Sequence, residues 1–211
     1  MGKKNLKEKR NQSIRNILEA ATEVFADVGF AGARMDEIAK RAGVNKAMIY
    51  YRIGDKKALY TKVLHEVFGA AAERIWSNIK EEYTPEEKLK AYLASLADTL
   101  ENHPSMPYIV MREMASREHQ LNEVVAKDLM SILVIVRKIL DDGIEKGVFV
   151  RVDPLTLHLM IIGVMILFKV STTMREMFSS LIPDKLKYIE KRSFQDMVRE
   201  LEQVVLRAVM A

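Results

Sequence analysis

The sequence predicts an all-α fold of about nine helices, and three observations carry that expectation. Apolar residues recur at spacings of three and four along most of the 211-residue chain, which is the period of a helix face. Nine Gly and five Pro are few for the turns that a β-sandwich needs. No two alternating runs offer each other a strand partner. With 49% apolar and 29% charged residues, the chain can bury a sizeable core.

The elements follow in order. Ile14, Ile17, Leu18, Ala21, Val24, Phe25 and Val28 form one apolar stripe, and Gly29 closes that helix. Short helices are expected over 35–42, stopping at Gly43, and over 46–52, stopping near Gly54. Asp55 caps a long helix reaching towards Tyr83, and Thr84 with Pro85 starts the next, which runs to Asn102. The segment 103–107 holds two prolines and is the clearest break. Helices over 107–117 and 121–146 follow, the second ended by Gly147. Residues 148–152 are short and β-branched but lack a partner strand, so they read as a loop. Asp153 and Pro154 start a helix to Ser180, and a final helix runs from Ser193.

Composition excludes several classes. The chain has no Cys, so a disulfide scaffold, a thiolate metal site and a cysteine nucleophile are impossible, and a reducing cytoplasm is the expected compartment. The longest apolar run, 159–168, is half the length of a membrane span, and the Lys-rich start has no apolar core behind it. Neither a membrane segment nor a secretory leader is expected. His65, His103, His119 and His158 show no paired ligand spacing, so neither metal nor cofactor is expected. The motifs of hydrolases, metalloproteases and nucleotide-binding enzymes are missing, which argues against an enzyme.

Charge is unevenly placed. Residues 1–57 carry 13 Lys/Arg and 7 Asp/Glu, a net of +6, whereas 58–211 carry 20 and 22, a net of −2. A polyanion-binding head on a near-neutral body gives that asymmetry. A helical interaction module whose basic tail binds acidic surfaces gives it too. The two differ in one respect: only the head predicts saturable binding to a two-fold symmetric duplex.

The stretch 35–56, MDEIAKRAGVNKAMIYYRIGDK, decides for the head. Two short helices meet at Ala42-Gly43-Val44; Ala39 permits a tight crossing and Gly43 permits the turn. Ile38, Val44 and Ile49 pin the pair to the preceding helix. The second helix then presents Asn45, Lys46, Ala47, Met48, Tyr50, Tyr51 and Arg52, side chains suited to a major groove and its phosphates.

These residues resemble the tetracycline-repressor (TetR) family of bacterial transcriptional regulators. The likeness rests on Ile17-Leu18-Glu19-Ala20-Ala21, Phe25, Gly29-Phe30, Ile38-Ala39, Ala42-Gly43-Val44, Tyr50-Tyr51, Lys56 and Ala58-Leu59-Tyr60, over residues 11–62. The resemblance implies a helix-turn-helix DNA-binding domain with a basic arm over 1–57, and a ligand-binding and dimerisation domain over 58–211. Asn45 to Tyr51 then enter the major groove of a palindromic operator, and Tyr50, Tyr51, Arg52 and Lys56 reach phosphates. The family usually has Thr where Met35 stands; Met supplies no hydroxyl, and Arg34 beside it is the substitute phosphate ligand. Ile53 replaces the family's usual aromatic, and Arg52 stands where His or Tyr is common.

For the body the resemblance implies a homodimer and a small-molecule effector. The helices 154–180 and 193–210 would meet their twins, with Phe194, Val198, Leu201 and Val205 at the interface. Thirteen Met suggest an adaptable apolar pocket. Its expected lining is Trp76, Tyr92, Tyr108, Met111, Met130, Met165 and Phe168, with Arg112, Glu113 or His158 as the polar anchor. The effector is then apolar or amphipathic, and binding it shifts the protein to a state with badly spaced recognition helices, the long helix after Asp55 acting as lever. Repression is the expected sense of regulation.

Overall fold

The computed structural model describes residues 2–116, 122–189 and 192–211. They form ten α-helices and two 3₁₀ turns. The helices are α1 Gly2–Gly32, α2 Met35–Arg41, α3 Lys46–Arg52, α4 Lys56–Asn78, α5 Pro85–Asn102, α6 Met106–Ala115, α7 Glu123–Glu145, α8 Pro154–Val170, α9 Thr172–Met177 and α10 Phe194–Val209. The one more than expected arises because the helix begun at Pro154 breaks at Ser171, which separates α8 from α9. The helix expected to reach Tyr83 stops at Asn78. The basic arm is not an extended tail: its backbone is helical from Gly2. Residues 117–121, with His119, lie outside the described residues.

The chain divides into two compact units, Met1–Ala70 with Tyr108–Asp128, and Ala71–Pro107 with Leu129–Ala211. In the first, residues of α4 and α6 pack with α1. Gly29 breaks α1 as expected, at φ 71° and ψ 177°. The α1 stripe buries Ile17, Leu18, Ala21, Val24 and Phe25, while Val28 stays half exposed. α1 packs on α2 and α2 on α3. Gly43 makes the turn between them with φ 65°, and the Val44 amide donates to the Ala39 carbonyl at 3.0 Å. Ile38 and Ile49 are fully buried. Arg41 ties α2 to α1 through Asp27 at 3.1 Å and holds Glu37 at 3.0 Å.

In the second unit α10 packs on α5 and α8, and α5 on α8. Leu89, Tyr92, Leu93, Leu96 and Leu100 of α5 meet a core that includes Leu157, Ile161 and Met165 of α8 and Val205 of α10. Thr84 with Glu87, and Ser193 with Asp196, form capping boxes; Asp153 caps α8. The segment 148–152 does have a partner: Phe149 bridges Met210 antiparallel, and the Val150 amide donates to the Val209 carbonyl at 2.8 Å. A periodicity reading misses a bridge one residue long. No described helix is long and apolar enough to cross a membrane.

Candidate nucleic-acid interface

α3 turns one face out. Tyr51 is 90% and Tyr50 47% exposed, and Ala47 is exposed, so the i, i+4 rows of Lys46–Tyr50 and Ala47–Tyr51 line the solvent side opposite buried Ile49. The Lys46 ammonium bonds Asp36 of α2 at 2.9 Å, and this partner raises its pKa. Both groups are at the surface, so the pair is weakly held and its cation can be recruited by an acceptor on a ligand. Arg34 is exposed and makes no side-chain bond at the start of α2. Arg52 is half buried.

Four expected contacts change meaning in the structure. Met35 is only 6% exposed, so its side chain belongs to the core of the head and only its backbone remains for an anion. Asn45 caps α3: its side-chain oxygen accepts from the Ala47 amide at 2.8 Å, which removes that oxygen from base reading. Met48 is half buried and accepts a bond from the Ser13 hydroxyl of α1 at 3.6 Å. Lys56 departs most. Its ammonium donates to the carbonyls of Phe30 at 2.9 Å, Ala33 at 3.1 Å and Ala31 at 3.4 Å, and lies 4.6 Å from the centre of the Phe30 ring. It closes the end of α1 rather than facing a phosphate.

A second set of contacts braces the head. Arg112 of α6 donates to the Ala26 carbonyl at 2.7 Å and also to that of Asp27. Next to it, buried Glu113 accepts from the Tyr60 hydroxyl of α4 at 2.9 Å. Burial, then the neighbouring carboxylate, push the Tyr60 phenol well above its ordinary range. Phe25 and Phe30 both pack on the Tyr60 ring, at 4.7 and 5.2 Å between centres. Partners more than fifty residues apart leave no periodic trace in a sequence.

The nine expected pocket residues are divided between the two units. Tyr108, Met111 and Arg112 belong to the first unit and the other six to the second. Arg112, expected as an effector anchor, is bonded to the end of α1. Glu113 is likewise engaged by Tyr60. In the second unit Tyr92 and Met165 are fully buried, whereas Met130 and Trp76 are more than half exposed. Tyr92 and His158 do meet, with 2.5 Å between the hydroxyl and Nδ1. Burial lowers the His158 pKa to about 4, so the ring is neutral at pH 7 and shares one hydrogen bond with the phenol. Phe168 packs on Phe194 and on Arg175.

The expected dimer face is also corrected. Phe194, Val198, Leu201 and Val205 are 9, 7, 6 and 0% exposed in the single chain, because α10 spends its apolar face on α5 and α8. Among the described residues, α8 leaves Leu155, Leu159, Met160, Val164 and Leu167 exposed, and further exposed apolar side chains lie on α7 and α9.

Comparison with known proteins supplies the family. Residues 17–63 match the model of bacterial regulatory proteins of the tetR family. Residues 85–201 match that of the tetracyclin repressor-like C-terminal domain. The fatty acid metabolism regulator protein of Bacillus subtilis (strain 168) is 29% identical over 142 residues, 67% of this chain and 73% of that one. The HTH-type transcriptional regulator RutR of Escherichia coli O157:H7 is 27% identical over 161 residues, 72% and 74% of the two chains. The crystal structure of the regulator FadR from Bacillus subtilis in complex with stearoyl-CoA shares the fold, with a TM-score of 0.70, 24% identity and coverage of 92% of this chain and 98% of that one. A helix-turn-helix with an outward-facing α3, and family models over both its head and its body, place the chain in the TetR family of bacterial DNA-binding transcriptional regulators.

Proposed function

We propose that the protein is a cytoplasmic repressor that binds a two-fold symmetric operator as a dimer and leaves it when a small amphipathic molecule binds the body. It carries out no catalysis on this reading. The observation that carries it is the outward row of Lys46, Ala47, Tyr50 and Tyr51 on a helix locked by Ile49 into a family-matched head. Tyr50, Tyr51 and Arg34 serve phosphates; Lys46 and Ala47 are the side chains left to meet base edges. The apolar face of α8, rather than that of α10, supplies the twin contact, since five large exposed apolar side chains on one helix mark an interface. The named fatty-acid regulators among the relatives support a fatty acyl compound as effector.

Selection of bound duplexes from a random library tests the reading. A symmetric consensus, bound saturably by the full chain and released by one class of small molecule, is the expected outcome. Enrichment without symmetry, or binding to any polyanion alike, would return the basic head to the role of a surface-binding tail.

A further inference from the structure

The second unit carries an open groove of about 360 Å³, floored by the edge of its core at Ile135 and Ile139. Ile79, Ile135 and Ile139 line it with apolar surface, and Trp76, Lys80 and Lys138 stand at its edge. Two features separate it from an ordinary surface dent. Trp76 is the chain's single Trp and is 57% exposed, a broad apolar ring open to a hydrocarbon at the groove's edge. The Lys138 ammonium lies 4.6 Å from the Trp76 ring centre and that of Lys80 lies 5.6 Å from the Tyr83 ring centre, so both rest on aromatic faces. Lys88, also in the groove, is by contrast spent on Asp142 at 2.6 Å.

We propose that this groove binds one small amphipathic carboxylate, its hydrocarbon body on the isoleucines and Trp76 and its head group between Lys80 and Lys138. Charge complementarity selects the occupant. Glu81 is the single carboxylate side chain in the lining, set against the ammonium groups of Lys80 and Lys138. An anionic head gains charge-assisted bonds there, whereas a cation would meet like charges. The volume lies at the lower end of small-molecule sites and suits one chain of about a dozen carbons, not a nucleotide-linked ligand. Its regulatory consequence rests on the effector-responsive reading; the binding itself does not.

The single Trp makes the test direct. Monomeric dodecanoate is titrated into the full-length protein while Trp76 emission is recorded, with dodecan-1-ol as the uncharged probe. The expected result is a saturable emission change with dodecanoate, at one molecule per chain, and an affinity about tenfold or more weaker for the alcohol. Lys80→Gln/Lys138→Gln, at two exposed positions, should weaken dodecanoate about tenfold or more and leave the helical circular dichroism unchanged. Equal response to acid and alcohol, or an unchanged affinity in the double variant, would overturn the assignment. If dodecanoate releases operator while Trp76 emission stays flat, the effector reading stands and this groove is not its site.

Discussion

Replacing Lys56 by Met separates a structural from a DNA-contacting role for the same cation. The wild-type ammonium makes two bonds of normal length, to Phe30 and Ala33, and a longer one to Ala31. Hydrogen bonds from a charged donor contribute about 1.5–3 kcal/mol each when shielded. Here the site is half exposed, and water can replace part of what is lost. A net loss of about 2–3 kcal/mol is therefore expected, including a few tenths from the Phe30 ring. For a chain of this length that lowers Tm by about 4–12 °C. Met keeps the unbranched stem, so packing changes little. Thermal melts followed by circular dichroism give the first number, and operator affinity against salt concentration gives the second. The expected pair is a lower Tm with the salt slope unchanged. An unchanged Tm with a slope flatter by about one unit would refute the reasoning and return Lys56 to a phosphate.

Three further outcomes follow from the same structure. Leu201→Glu puts a carboxylate into the core of the second unit and should unfold it, whereas Leu159→Glu on the open face of α8 should give a folded monomer by sedimentation with weak operator binding; the reverse pattern would restore α10 as the twin contact. His158 titrates near 4 in the folded chain against an ordinary 6.5, so the stability tied to its neutral form is whole above pH 7 and is lost as pH falls from 6.5 to 4, up to about 3 kcal/mol. His158→Gln, which can still accept from Tyr92, should flatten that part of the pH–Tm curve; parallel curves would contradict the assignment. A Cβ on Gly143 would lie 2.0 Å from the Phe149 ring, so Gly143→Ala should cost about 1–3 kcal/mol in denaturant unfolding, and an unaltered midpoint would show that Phe149 can step aside.

What was legible in the sequence was local. The α1 stripe, the Gly43 turn, the Thr84 cap, the start of the last helix near Ser193 and the break before α6 are each set by residues within a turn or two, and the structure places them within a few positions of expectation. Burial partners were not legible. The stripe of α10 announces that Val198, Leu201 and Val205 are buried, but periodicity does not say whether by α5 and α8 or by a second chain. α8 is apolar nearly all round, the mark of a helix with more than one neighbour, and its expected place in the twin contact rested on the resemblance rather than on its periodicity. Side-chain chemistry failed for a related reason. Lys56 and Asn45 are good nucleic-acid ligands by type, but the nearest orphan backbone groups, at the end of α1 and the start of α3, claim them first.

The central claim, that two α3 helices of a dimer read one duplex, is tested most directly by footprinting the selected operator with the full-length protein. Two protected half-sites whose centres lie about 10–10.5 base pairs apart, or a whole multiple of that, are predicted. Tyr51→Ala, on the exposed face of α3, should weaken both halves together without changing the fold. A single unpaired footprint, or protection indifferent to Tyr51, would contradict the account.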